Sequence, residues 1–216
     1  MAASYYRMAE GRRNECADNS TRHHPRVHPG DGRMILNDRQ IRGMCMFAES
    51  SMLYPFIPEQ KGKPSYGLGS FGYDIRLGKK FLLASRIDII ADPIDYDKNL
   101  CHVLNRDDEF ILHPGHHVLT ESVETFNMPE DVCGVCWGKS SYARCGLLVN
   151  VTPLEPGWKG ILTLELANVS PNPIRLHVGK GIAQVVFFRG DRPDRTYTEK
   201  ESGGIYMNQT GVTVPQ

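Results

Sequence analysis

The sequence predicts a mainly β protein, an antiparallel barrel or sandwich with a few short helices. Three observations predict it. Short apolar segments recur from residue 81 onward, separated by Gly, Pro, Asn and Asp. Only one stretch has helical amphipathic spacing. No GxGxxG or Walker sequence accompanies an alternating βαβ pattern, so any nucleotide must be held some other way.

The elements follow in order. Residues 1–33 hold little that could be buried and many Arg, His, Gly and Asn, which predicts a disordered extension. Its arginines invite a mitochondrial transit-peptide reading, against which Glu10, Glu15, Asp18 and Asp31 argue. A proper domain is expected from Met34 to the C-terminus, over residues 34–216. In residues 37–48, NDRQIRGMCMFA, Asn37 can cap a helix and Gln40 can reach back to it. Ile41, Met44, Cys45 and Ala48 then share a face. The expected strands are FLLAS, IDIIA, EFILH, HHVLTESVETF, CGVCWG, LLVNV, ILTLEL, PIRLHV and AQVVFF.

Composition narrows function. Lys plus Arg is 25 and Asp plus Glu is 25, which removes the long-range pull expected of a nucleic-acid binder. An anionic ligand must therefore be held by a local cluster. No apolar run approaches the roughly 18 residues of a membrane span, and no signal-peptide core is seen. With six cysteines scattered through 216 residues, free thiols in a cytoplasmic protein are expected.

Two patterns carry candidate chemistry. In GKSSYARCG, Gly138 allows a turn, Ser140 or Ser141 can cap a helical turn, and Gly146 can stop it. Lys139, Arg144, two hydroxyls and turn amides would then surround one concavity suited to phosphate. A capped surface turn with solvated charges fits the same residues. In ILTLEL, Ile161, Thr163 and Glu165 share one face and Leu162, Leu164 and Leu166 the other. A hairpin through Pro156-Gly157 would bring Val149, Val151 and Trp158 near Glu165, and a desolvated carboxylate cycles protons more readily near neutral pH. A plain polar outer face, with the leucines in the core, is the more ordinary reading of this pattern taken alone.

Cys133-x-x-Cys136 suggests zinc, but the second ligand pair is missing, and on a strand the two thiols point to opposite faces. Two buried unpaired cysteines are expected instead. His116-His117 has no third ligand at a recognisable spacing. Zinc-dependent nucleobase deaminases need H-x-E and P-C-x-x-C; here Val132 precedes the CxxC, and neither His113, His116 nor His117 is followed by Glu at the second position.

The segment GKSSYARCGLLVNVTPLEPGWKGILTLEL, continuing through GKGIAQVVFF to GGIYMNQTGVTVPQ, resembles the dCTP deaminase family of the dUTPase-like superfamily. SYGLGSFGYDIRL at residues 65–77 matches that family's N-terminal signature. The resemblance runs from about Met34 to the end. It implies a distorted β-barrel of the dUTPase-like type, a homotrimer with sites at subunit interfaces, and deamination of dCTP to dUTP and ammonia. It further implies Glu165 as general acid/base, no protein-bound zinc, and Mg2+ carried by the triphosphate. Lys139, Ser140, Ser141, Tyr142, Ala143 and Arg144 match the phosphate-and-site segment, with Ser140 and Arg144 holding the water and developing charge. Thr163, Leu164 and Glu165 match the strand that meets the base. Gln184, Tyr197 and Gln209 match triphosphate and sugar contacts.

Some residues depart from the family pattern. Ile205 stands where a Lys often precedes the C-terminal Tyr, leaving Lys200 as a nearby cation. Glu155 stands where many relatives carry Asp. The alternatives are a bifunctional enzyme giving dUMP and pyrophosphate, a plain dUTPase, or a non-catalytic nucleotide-binding relative. LEPGWKG, GGIYMNQTG and Ala143 favour the single-activity deaminase, and no membrane or nucleic-acid partner is expected.

Overall fold

The computed structural model describes residues 34–46, 50–84, 90–200 and 204–216. The expected extension over 1–33, and Ala48 of the first helix, lie outside the described residues. Helix α1 (Asp38–Met46) begins as expected: Gln40 N donates to Asn37 Oδ1 and Asn37 N to Gln40 Oε1, both at 3.1 Å. Ile41 and Cys45 bury its inner face.

The strands are β1 (Leu53–Tyr54), β2 (Gly67–Leu68), β3 (Tyr73–Ala84), β4 (Cys101–Asn105), β5 (Glu109–Leu112), β6 (His117–Asn127) and β7 (Val132–Gly138). After helix α2 (Ser140–Ala143) come β8 (Leu147–Asn150), β9 (Lys159–Asn168), β10 (Ile174–His177) and β11 (Gly181–Arg189). Of the expected strand IDIIA, residues 87–89 lie outside the described residues. Ile90 and Ala91 lie in no strand, Ile90 is exposed, and Pro93 soon after cannot donate to a ladder. The neighbour of β3 on that side is β4, which sequence patterning missed; Ala84 pairs with Cys101.

The main sheet is antiparallel in the order β7-β11-β3-β6-β9-β8, with β1, β2 and β4 added beside it. Its two ends meet. Gly134 on β7 and Leu154, just past β8, exchange backbone hydrogen bonds of 2.9 and 2.8 Å. The result is a nearly closed barrel, the distorted barrel class expected. The β5–β10 pair packs Phe110, Leu112, Ile174 and Leu176 into the core, with Phe110 stacked on Phe81 at 4.5 Å. Strand β9 alternates as expected, burying Leu162, Leu164 and Leu166.

Strand β6 breaks the apolar rule. Glu124 on β6 is fully buried. The β6 ladders slip here, between Glu121 and Thr125 against β9 and between Leu77 and Phe81 against β3. Side chains repair the break. Ser122 Oγ accepts from Leu162 N and donates to Glu124 O. The Glu124 carboxylate accepts from Arg76 N at 2.8 Å and Arg76 Nε at 2.7 Å. Burial pushes the Glu124 carboxyl above the usual range, and Arg76 pulls it back. The guanidinium also lies 5.4 Å from the Tyr66 ring.

Glu124→Ala leaves that guanidinium buried without its counter-ion. It is expected to lower the unfolding free energy by about 3–5 kcal/mol, read by urea denaturation. A loss within about 0.5 kcal/mol, as for an ordinary surface site, would show that the pair does not hold the barrel.

Candidate active site

The outer face of β9 carries the predicted carboxylate. Antiparallel pairing sets Glu165 opposite Leu119 on β6 and opposite Asn150 on β8. The Asn150 amide donates to the Glu165 carboxylate. Glu165 is half-buried, with Val151 and Trp158 on the wall of the same cavity as expected and the Asn150 amide as its partner. It lines a cavity of about 650 Å³ together with Thr163, Trp158, Glu155, Tyr197 and Gln209. An apolar wing of Leu82, Leu119 and Val151 extends from it.

The C-terminal segment is zipped along β9. Asn208 N donates to Lys159 O at 2.8 Å and Ile161 N to Gln209 O at 2.9 Å. Gly160 makes this approach possible: its φ is +151°, and a Cβ there would sit 2.8 Å from Gln209 N. Further along, Val212 N donates to Glu121 Oε2 at 3.3 Å and Thr213 N to Thr163 Oγ1 at 3.0 Å. The Trp158 indole turns its N–H to Tyr206 O at 2.9 Å. Thr213, Val214 and Pro215 thereby join the cavity wall.

Tyr197 opens a short 3₁₀ turn, Tyr197–Glu199. A capping box fixes it: Glu199 accepts from both the amide and the hydroxyl of Thr196 at 2.8 Å, and Arg192 bridges Glu199 to Glu130. Tyr197 N donates to Pro156 O, and its hydroxyl accepts from Tyr206 N at 3.1 Å. Lys200 follows directly, its ammonium paired with Glu155 and 5.2 Å from the Tyr197 ring centroid.

The other predicted cluster lies apart. Lys139, rather than Ser140 or Ser141, is the N-cap of α2, because its carbonyl already accepts from Tyr142 N and Ala143 N. Gly146 ends the turn as expected, at φ +87°. Ser140, Ser141, Ala143 and Arg144 are exposed, and Arg144 Nη1 donates to Ser140 O at 3.4 Å. Lys139 is not presented to solvent. Its ammonium is held 2.5 Å from the buried Asp74 carboxylate and 3.1 Å from Ser65 Oγ. Gln184 pairs opposite Asp74 across β11 and β3, so it joins the Lys139 group.

Two predicted binding residues are inside the core. Leu164 is 0% and Tyr142 5% exposed, so each can offer a ligand little beyond its backbone. The Tyr142 hydroxyl accepts from His177 N at 3.1 Å, and burial pushes its phenol up. None of Lys139, Ser140, Ser141, Arg144 or Gln184 lines the Glu165 cavity of the same chain. Arg144 instead lines a second concavity with Ser170, Asn172 and Arg175. Cys133 is half-buried and Cys136 buried, on opposite faces as alternation requires, so full burial holds for Cys136 alone. Burial pushes the Cys136 thiol up to about 12. No helix among the described residues is long and apolar enough to cross a membrane.

A family model described as dCTP deaminase-like matches residues 35–190. The protein named dCTP deaminase in Campylobacter concisus (strain 13826) is 43% identical over 187 residues, covering 84% of this chain and 97% of its own. That of Neisseria meningitidis (strain FAM18) is 45% identical over 190 residues, covering 84% and 98%. The chain belongs to the dCTP deaminase family. The solved 2'-deoxycytidine 5'-triphosphate deaminase from Agrobacterium tumefaciens aligns with a TM-score of 0.57 at 21% identity. It covers 73% of this chain, which spans about half (48%) of that one, and the likeness is one of fold.

Within this family member, sequence reasoning missed Asp74, Glu121 and Asn150. Asp74 stood in a matched signature with no role attached. Asn150 follows from hairpin register, since whichever residue faces Glu165 across β8–β9 becomes its partner. Glu121 carries no local signal, because its partner amide lies 91 residues away.

The turn that presents Tyr197 is checked by titration. Hydrogen bonds from Thr196, then Arg192, hold the Glu199 carboxyl down at about 2 against an ordinary 4.5. With the folded value depressed, the box stabilises the turn above pH 4.5 and is lost as pH falls toward 2. A carboxyl resonance of Glu199 titrating near 2 is expected by NMR; a midpoint near 4.5 would mean that the box does not form in solution.

Proposed function

We propose that this chain hydrolyses dCTP to dUTP and ammonia, a step that feeds dUMP and dTTP synthesis, with Glu165 as the proton shuttle. The observation that supports this best is the Glu165 carboxylate on a cavity wall beside Thr163, Tyr197 and Gln209, held by the Asn150 amide. Water attacks C4 of the cytosine while Glu165 takes its proton and passes it to N3. Glu165 then takes the proton of the new C4 hydroxyl and gives it to the amine, and the C4–N bond breaks as the C4 carbonyl forms and ammonia leaves. Glu165 ends as it began, and one water is consumed per ammonia released. Such acid/base work contributes on the order of 10²–10⁴ in rate; positioning and preorganised polar groups supply the rest.

In this reading Ser140 and Arg144 hold the attacking water and the developing charge, and Ser141 and Gln184 meet the phosphates. Lys139 reaches phosphate only by sharing its ammonium with Asp74. Magnesium is part of the substrate, since it prefers phosphate oxygens and water. The zinc route is set aside on the sequence, which lacks H-x-E and P-C-x-x-C. The separation of the α2 cluster from the Glu165 cavity within one chain supports a homotrimer. In it, one subunit's Ser140 and Arg144 complete the neighbour's site. A cytoplasmic enzyme without membrane or nucleic-acid partners accords with the balanced charge.

Glu165→Gln is expected to abolish ammonia release from Mg-dCTP while dCTP still binds; near-normal turnover would overturn the assignment. Arg144→Ala should also be inactive. Mixing the two inactive variants should restore activity in mixed trimers, and failure to do so would place both groups in one chain's site. Formation of dUMP and pyrophosphate from dCTP would replace the single-activity reading by the bifunctional one.

A further inference from the structure

The cavity that holds Glu165 has two carboxylates, Glu155 and Glu165, and no lysine or arginine among its described lining residues. A triphosphate entering it brings several negative charges to a wall that is already acidic. A cation that touches this wall is Lys200. Its ammonium is paired with Glu155 and stands 5.2 Å from the centroid of the Tyr197 ring, and both of those residues line the cavity.

We propose that Lys200 is a polyphosphate-binding residue of this chain, parked on Glu155 while the site is empty and transferred to the ligand's phosphates on binding. The assignment rests on the nucleoside-triphosphate reading above. Three features carry it. First, both members of the Lys200–Glu155 pair are substantially exposed, 41% and 38% by side chain, and an exposed pair is cheaply broken. The Lys139–Asp74 pair, at 14% and 3%, is not. Second, the Tyr197 face keeps the ammonium at the rim whether or not Glu155 holds it, because a ring attracts a cation on its own account. Third, Lys200 closes the turn whose geometry Thr196 and Glu199 fix, so the side chain starts from an ordered backbone. When Lys200 leaves, the Glu155 carboxylate is free to accept a hydroxyl of the ligand's sugar. One exchange thus serves two ligand groups.

The test compares KM for Mg-dCTP in the full-length protein and in Lys200→Met, Lys200→Arg, Glu155→Gln and the Lys200→Met/Glu155→Gln pair. Lys200→Met is expected to raise KM by roughly 10-fold to 100-fold, the range of a charged hydrogen bond. The loss should fall on KM rather than on kcat, with Lys200→Arg recovering most of it. The double variant should stay weak. If it returned to the level of Glu155→Gln alone, Lys200 would merely neutralise Glu155 and the proposal would fail. An unchanged KM in Lys200→Met would overturn it too. Calorimetry adds a readout free of turnover: the Lys200→Met change should weaken dCTP binding and spare dCMP, whereas equal losses for both would point to a disturbed fold at the turn. A protein that bound dCTP through Lys200 yet released no ammonia would remove the deamination and leave this assignment standing.

Discussion

The buried pair between Glu124 and Arg76 is the constraint on which the rest of the barrel depends. Strand β6 must serve three neighbours: β3 and β9 along most of its length and β1 at its far end. Strand β6 slips register against both long partners, between residues 120 and 125. A slip orphans backbone donors inside the core, where each would cost a lost hydrogen bond. Glu124 answers one of them directly by accepting Arg76 N, and Ser122 answers another by accepting Leu162 N. A neutral side chain could fill the space but could not take a backbone amide and a guanidinium together. Charge is tolerated here because geometry demands two strong acceptors in one place.

That repair sets the position of the site. Before the slip, β6 keeps Leu119 opposite Glu165; at the slip, Glu121 faces Thr163. The outer face of the sheet therefore presents Glu165 and Thr163 one step apart on β9, with Glu121 diagonal to Glu165. The C-terminal segment uses the same face, taking Thr163 and Glu121 as acceptors for two consecutive amides. Strand β9 and the segment that covers it are thus registered by one set of side chains. A shift of β9 by a single residue would turn Glu165 into the leucine core and remove both anchors at once.

Legibility in the sequence followed the range of the interaction. The Asn37–Gln40 box, the Gly146 stop and the alternation of ILTLEL are decided within a few residues, and each reads directly from spacing. The strands from EFILH to AQVVFF were visible because their apolar period is local too. Strand β4 was missed because CHVLN is short and half polar, and it is a strand only because the edge of β3 is there to receive it. Ile90 and Ala91, the described end of IDIIA, lie in no strand, because apolar residues need a partner surface as well as a pattern. At the site, Glu165 and Tyr197 could be matched from motifs, but their partners Asn150, Thr196 and Lys200 were set by pairing and turn geometry. The engagement of Lys139 by Asp74 spans 65 residues, and no spacing rule encodes it.

The charge balance acquires a structural meaning from these pairs. A chain with equal numbers of acidic and basic residues must bind a multiply charged anion without a surplus field to draw it in. Its cations are stored on carboxylates: Lys139 on Asp74, Lys200 on Glu155, Arg175 on Glu109, Arg192 on Glu130 and Glu199. Exposed pairs of this kind are worth about 0–1 kcal/mol, less than the roughly 1.5–3 kcal/mol of a hydrogen bond to a charged group. Phosphate can therefore take such a cation at a net gain. A buried pair such as Lys139–Asp74 cannot be opened on those terms, because separating it leaves a carboxylate in the core at a cost of about 3–5 kcal/mol. The depth of each pair, rather than its distance from the ligand in sequence, decides which cations the site can spend. Arg144, whose guanidinium donates to the carbonyl of Ser140, stands at the available end of that scale, and Lys139 at the committed end.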